Sequence, residues 1–212
     1  MIQWVYEGAK RSTRLQNLII ATDDRRIYQA CQEFGADVRM TSVHHVSGTE
    51  RVAEIARSLS TSYIINIQGD EPLIRAEMID ALIMEMWDEN TSMATLAIKV
   101  TDRSLLEDSN TVKVVTDTKG YALYFSRSPI PSQPADDFYQ HIGVYSYRRD
   151  FLLEMCQWSP SRLEQAERLE QLRVLENGHK IKVIITHFPT LSVDTPEDII
   201  RVERYLAKDH HD

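Results

Sequence analysis

The chain has 212 residues, 42% of them hydrophobic and 26% charged, with a formal net charge of −8. That length and balance suit a well-buried globular core and exclude a disordered chain. An acidic chain with no basic run also lacks the counterion-releasing surface that holds nucleic acid, so an anion must be met by helix N-termini, a few Arg or Lys, or a bridging cation.

Residues 1–10 pattern as a helix with Ile2, Val5 and Tyr6 on one face, without the basic-then-apolar order of a signal peptide. A short apolar strand is expected at 18–22, then Asp23-Asp24 opening a helix that passes Cys31 and stops at Gly35. Cys31 and Cys156 stand apart from any Cys/His cluster, which predicts free thiols in a reducing, cytoplasmic setting. A strand at 38–40, a helix from Ser47 to Ser60, a strand at 63–68, a helix near 76–87 and a strand at 93–100 follow. No run is long and apolar enough for a membrane span. This alternation predicts βαβ units and a mostly parallel sheet, with 63–68 as a buried central strand.

After residue 110 the texture changes. Two β-rich runs, 112–117 and 122–126, flank Thr118-Lys119-Gly120 and predict a hairpin, and 141–148 alternates as a further strand of that antiparallel set. A long amphipathic helix over 161–177 ending at Gly178, a strand at 181–186 and a last helix entered through Asp194-Thr195-Pro196 complete the chain. The expectation is one α/β domain over 1–212, with an antiparallel insertion at about 110–150.

Chemistry concentrates at strand ends. Gln68-Gly69-Asp70-Glu71-Pro72 ends the 63–68 strand in an amide and two acids, and ligands of open parallel sheets bind at carboxyl ends of strands. A carboxylate there can hold Mg²⁺ against a triphosphate, or the segment is simply an acidic turn. Asp194 is a second acid at a strand-to-helix junction; it suits a shared cation and equally suits a helix N-cap. Ser47, Gly48, Thr49 and Arg51 form a helix entry where backbone and hydroxyls can approach a ligand, and His44 and His45 read as loop histidines rather than metal ligands. Arg127, His141 and Tyr145 fall on the antiparallel strands, His141 and Tyr145 four apart and so on one face. A cation, an imidazole and a phenol suit an acidic, hydroxyl-rich ligand. Glu164, Glu167, Glu170 and Gln171 read mainly as a solvated helix face, with Glu170-Gln171 the pair of interest.

Six segments occur in order along the chain: His-x-Ser-Gly-Thr-Glu-Arg (45–51), Gln-Gly-Asp-Glu-Pro (68–72), Tyr-Phe-Ser-Arg-Ser-Pro-Ile-Pro (124–131), His-Ile-Gly-Val-Tyr-Ser-Tyr-Arg (141–148), Leu-Glu-Gln-Leu-Arg-Val-Leu (169–175) and Val-Asp-Thr-Pro-Glu-Asp (193–198). In that set the chain resembles the 3-deoxy-manno-octulosonate (Kdo) cytidylyltransferases of lipopolysaccharide assembly, from Met1 to about residue 206. The resemblance implies a Rossmann-like nucleotidyltransferase sheet with helices on both faces. It implies attack of the Kdo anomeric hydroxyl on the α-phosphorus of CTP, with release of pyrophosphate. By the same resemblance Asp70 and Asp194 hold Mg²⁺ and Gln68 contacts substrate. Arg127, His141, Tyr145, Glu170 and Gln171 line a sugar-acid pocket, and Thr22, Asp23 and Ser47 to Arg51 lie near the cytidine. A homodimer is implied, with the 121–150 segment as the contact. Alternatives are a sister enzyme for another acid sugar, or a non-catalytic remnant that binds a ligand or partner.

The family opens with a strand and an Arg/Lys loop of the kind Pro-Ala-Arg-x-x-Ser-x-Arg-x-x-Gly-Lys, whereas Met1-Ile2-Gln3-Trp4 matches the segment after it. Arg11-Ser12-Thr13-Arg14 echoes its composition but follows the first helix. The expectation is an N-terminally incomplete domain with little turnover on its own.

Overall fold

Strands and helices alternate through the first half of the chain, as the spacing of its apolar residues requires. The computed structural model describes residues 1–133, 137–193 and 195–209. The chain divides into two units, one of Met1–Ile55, Ile67–Asp80 and Phe188–Asp212, the other of Ala56–Asn66 and Ala81–His187.

In the first unit, α1 (Ile2–Lys10) buries Val5 and Ala9. Gly8 is required there, because a Cβ would stand 2.5 Å from the Ile74 carbonyl oxygen. β1 (Ile19–Thr22) and β2 (Asp37–Met40) pair in parallel across α2 (Arg25–Glu33), a βαβ unit. Asp24 caps α2 by accepting from Arg26 N, and the Arg26 guanidinium, with that amide second, lowers its carboxyl to about 2. Gly35 ends the helix at φ +75°, a backbone conformation that L side chains rarely adopt. The next helix, α3, spans Gly48–Arg57. Near the C-terminus, α9 (Pro196–Asp209) buries Val202.

The second unit is built on a sheet of β3 (Tyr63–Asn66), β4 (Met93–Val100), β5 (Lys113–Thr116), β6 (Ala122–Ser126), β7 (Phe138–Arg148) and β8 (Lys182–Thr186), in the order β6-β5-β7-β4-β8 with β3 also on β7. The α/β class is as expected, and parallel pairing occurs at β1–β2 and β4–β8. The sheet is nevertheless mixed, because the eleven-residue β7 pairs antiparallel along one edge with β4 and along the other with β5 and then β3. The 63–68 run therefore departs from its expected role. Its strand stops at Asn66, alternates in burial, and runs antiparallel to β7. The hairpin forms as expected, with Gly120 at φ +79° and Asp117 accepting from Lys119 N and Tyr121 N.

Apolar side chains of α4 (Ala76–Glu85), including Leu82 and Ile83, are buried, as are Leu96, Phe125, Ile142 and Tyr147 of the sheet. Two short helices escape the sequence pattern, α5 (Arg103–Glu107) and α6 (Arg149–Met155). The expected long helix over 161–177 is two: α7 (Arg162–Glu167) and α8 (Gln171–Glu176), broken at Arg168, which adopts φ +55°. The break redirects the chain just before Glu170-Gln171, and the Arg173 guanidinium pins it by gripping Glu164 at 2.5 and 2.7 Å.

Candidate active site

In the first unit, residues expected near the nucleotide do converge. Arg51 on α3 donates to Asp23 Oδ2 at 2.9 Å, to Thr41 Oγ1 at 2.6 Å and to the Ser42 carbonyl at 3.3 Å. Its guanidinium thus braces the ends of β1 and β2 against α3. Thr22, buried, accepts from Asp24 N at 3.1 Å, which shapes the turn that presents Asp23. Ser47 Oγ accepts from Glu50 N, while the Glu50 carboxylate accepts from Val46 N, a reciprocal cap on the α3 entry. Thr49 is buried beside it. Gly48 is where two sequence motifs meet: a Cβ there would lie 3.0 Å from Gln68 Oε1. His45 is a loop histidine as expected, its Nε2 on Glu54 Oε2 at 2.5 Å.

Asp70 sits in the turn after Gln68, where Glu71 N donates to the Gln68 carbonyl. Val193 N donates to the Asp70 carbonyl at 3.0 Å, so the residue preceding Asp194 is tied to Asp70 by a backbone bond. Asp194 itself lies outside the described residues. Among the described residues no group of three or more His, Cys, Asp or Glu side chains is arranged to hold a metal. A hard-oxygen donor such as Asp70 fits Mg²⁺, which is commonly held by one or two carboxylates plus substrate phosphates.

The second unit carries the other candidates. His141 and Tyr145 share a face of β7, their rings 5.5 Å apart, and Phe125 of β6 meets His141 edge-on at 4.9 Å. Burial pushes the His141 imidazole down to about 3, so it is neutral near pH 7. Arg127, just past β6, donates from Nε to the Glu167 carbonyl and from Nη1 to the Ser109 carbonyl, both at 3.0 Å. Its Nη2 takes no part in either bond. Glu170 and the buried Gln171 open α8, which packs on β6. Gln171 Nε2 is buried and has no hydrogen-bond partner among the described residues. An unmade bond of that kind costs about 1–3 kcal/mol, so it marks a donor directed at something other than this chain's described side chains.

Three contributors were not read as such in the sequence. Glu167 belonged to the supposed solvated face. Its carboxylate instead accepts from Ser126 Oγ and Arg127 N at 2.9 Å and from Tyr124 OH at 3.3 Å, tying the end of β6 to the α7–α8 break. Lys113, fully buried on β5, donates to the carbonyls of Thr111 (2.7 Å), Asp108 (2.9 Å) and Arg127 (2.5 Å). Desolvation lowers its pKa. A lysine inside Val112-Lys113-Val114-Val115 was the available signal. Thr95, buried on β4, touches His141 and had no signal beyond lying in an apolar strand.

The family profile described as cytidylyltransferase matches residues 1–181. The 3-deoxy-manno-octulosonate cytidylyltransferase of Solibacter usitatus is 50% identical over 96% of this chain and 83% of its own length. The protein of the same name from Fusobacterium nucleatum is 48% identical over 99% and 87%. This chain belongs to the 3-deoxy-manno-octulosonate cytidylyltransferase family. A solved family structure, a CMP:2-keto-3-deoxy-manno-octonic acid synthetase complexed with CTP, superposes with a TM-score of 0.91 at 39% identity, over 98% of this chain and 88% of that one. The 4-diphosphocytidyl-2C-methyl-D-erythritol synthase of Anaerococcus prevotii, at 15% identity, 97% and 85% coverage and a TM-score of 0.65, shares the fold. The cytidylyltransferase family thus accounts for the Rossmann-like α/β architecture. No helix among the described residues is long and apolar enough to cross a membrane.

Proposed function

We propose that this chain transfers CMP from CTP to the anomeric hydroxyl of Kdo, releasing pyrophosphate and supplying CMP-Kdo for lipopolysaccharide assembly. Family membership and the CTP complex of the 39%-identical structure support the nucleotide half. The sugar-acid half rests chiefly on one observation, the buried and unbonded Gln171 Nε2, which needs an acceptor such as a sugar hydroxyl or carboxylate.

The division of labour follows the two units. In the first, Thr22, Asp23, Ser47, Gly48, Thr49 and Arg51 shape the nucleotide surface, with the Arg51–Asp23 brace holding its walls and Gln68 packed on Gly48. In the second, Arg127 supplies the cation for a carboxylate, and Tyr145, His141, Glu170 and Gln171 meet hydroxyls. Asp70, with Asp194, would hold Mg²⁺, which would supply compensation for the triphosphate charge. The protein's own task is therefore alignment of the attacking hydroxyl with the α-phosphorus, and little covalent chemistry is asked of it. The chain works in the cytoplasm as a homodimer joined through the 121–150 segment.

The test is a pyrophosphate-release assay with CTP, Kdo and Mg²⁺, on residues 1–212 and on a protein extended by the family's N-terminal Arg/Lys segment. Turnover with Kdo in either supports the proposal. Ligand binding without turnover in both would favour the remnant, and a strong preference for another acid sugar would favour the sister enzyme. Light scattering at micromolar concentration decides the dimer, a monomeric mass counting against it.

A further inference from the structure

We propose that Thr95 is a positioning residue that fixes His141 as the neutral Nε2–H tautomer, so that Nδ1 offers a bare lone pair to a hydroxyl of the sugar acid. The hydroxyl half rests on the proposed function; the tautomer half does not.

The inference starts from an irregularity in the ladder. Thr95 of β4 pairs with Tyr145, but the next residue, Leu96, pairs with Ile142, so β7 passes over Gly143 and Val144. Thr95 Oγ1 fills that bulge, 2.9 Å from the Val144 carbonyl oxygen and 3.2 Å from that of Ile142. The same oxygen lies 3.0 Å from His141 Nε2. A threonine hydroxyl has one hydrogen and two lone pairs, and a carbonyl oxygen has no hydrogen to give. With two carbonyl oxygens this near, a hydroxyl turned toward the imidazole would set lone pair against lone pair. Its hydrogen must therefore point at the carbonyls, and the bond to Nε2 must be donated by the ring.

A ring that carries its proton on Nε2 and is neutral leaves Nδ1 as an acceptor only. Nδ1 makes no hydrogen bond among the described residues, and Phe125 and Tyr145 flank the ring. Burial disfavours the imidazolium in the same direction. His141 is thereby excluded as a partner for the carboxylate, which it could meet only as a donor. It selects for a hydroxyl, and the carboxylate falls to Arg127.

The experiment is long-range ¹H–¹⁵N correlation NMR at pH 7 on protein labelled with ¹⁵N-histidine, with His141→Gln used to assign the signals. The expected spectrum has a pyrrole-type Nε2 and a pyridine-type Nδ1 for His141, retained in Thr95→Ser. In Thr95→Val the two tautomers should mix, and KM for the sugar acid should rise about tenfold, the worth of one hydrogen bond, with KM for CTP unchanged. A wild-type Nδ1–H tautomer, an imidazolium, or a Thr95→Val spectrum identical to wild type would overturn the assignment. If Thr95→Val does not fold, the wild-type and Thr95→Ser spectra still decide it. A correct tautomer with an unmoved KM would count against the sugar-acid subsite and leave the Thr95 assignment standing.

Discussion

Acid should destabilise this protein through His141 in a way that can be isolated. The imidazole titrates at about 3 in the folded chain against an ordinary value of 6.5. Between those two values the unfolded chain binds a proton that the folded chain does not. Stability is therefore intact above pH 6.5 and is lost as pH falls through the window toward 3. Integrating the difference from pH 7 to pH 5 gives a loss of about 2 kcal/mol from this residue alone. Glutamine at 141 keeps a donor for Thr95 Oγ1 and does not titrate, so His141→Gln should lack that increment. Urea unfolding followed by fluorescence at pH 7, 6 and 5 on both proteins gives the comparison, because every other histidine and carboxylate is common to the pair. The wild type should lose about 2 kcal/mol more than the variant over that range. Parallel pH dependences would show that the imidazole accepts a proton without resistance, and the reasoning about its burial would fail.

Lys113→Met keeps the aliphatic volume but strands the carbonyls of Thr111 and Arg127 and takes a donor from that of Asp108, which keeps Thr111 N; unfolding free energy should fall by about 3 kcal/mol, and KM for Kdo should rise because the end of β6 loosens. Gly8→Ala and Gly48→Ala should separate cleanly. The first meets backbone at 2.5 Å and should cost about 2 kcal/mol in denaturation. The second meets the mobile end of Gln68 at 3.0 Å, so its unfolding midpoint should hardly move while substrate KM rises. Asp70→Asn, in whichever form of the protein turns over, should lower kcat about 10²–10³-fold and weaken the dependence of rate on Mg²⁺ concentration. A kcat within a few-fold of wild type would remove Asp70 from the metal site.

Local signals carried most of the elements. Asp24, Gly35, Gly120 and Gly178 each mark a cap or turn whose backbone geometry is nearly independent of the rest of the chain, and the structure ends its elements there. His141 and Tyr145 were also legible, since side-chain alternation along a strand survives a bulge that passes over two residues. Partner choice was not legible in the same way. The 63–68 run has the apolar character of a buried parallel strand, yet which strand it meets depends on β7, whose register is set some eighty residues away in sequence. The break at Arg168 was hidden for a related reason. Nothing in the 161–177 periodicity disfavours a continuous helix, and the bend is held by Arg173 on Glu164 and by Glu167 on the end of β6.

The residues that escaped detection share a physical character. Thr95, Lys113 and Glu167 each spend polar atoms on backbone groups where regular pairing is interrupted: the bulge carbonyls of β7, the turn carbonyls before β5, and the amide at the end of β6. Buried backbone groups must be satisfied, and where a strand bulges or stops the ladder cannot do it. Side chains recruited for that work carry no periodic signature, because their positions answer to where the ladder fails. They are nonetheless what holds the candidate ligands in place: Thr95 orients His141, while Lys113 and Glu167 hold the carbonyl and amide of Arg127. Residues that meet a ligand can be guessed from residue type at a strand end. The residues that make them rigid are found only by asking where each leftover carbonyl and amide goes.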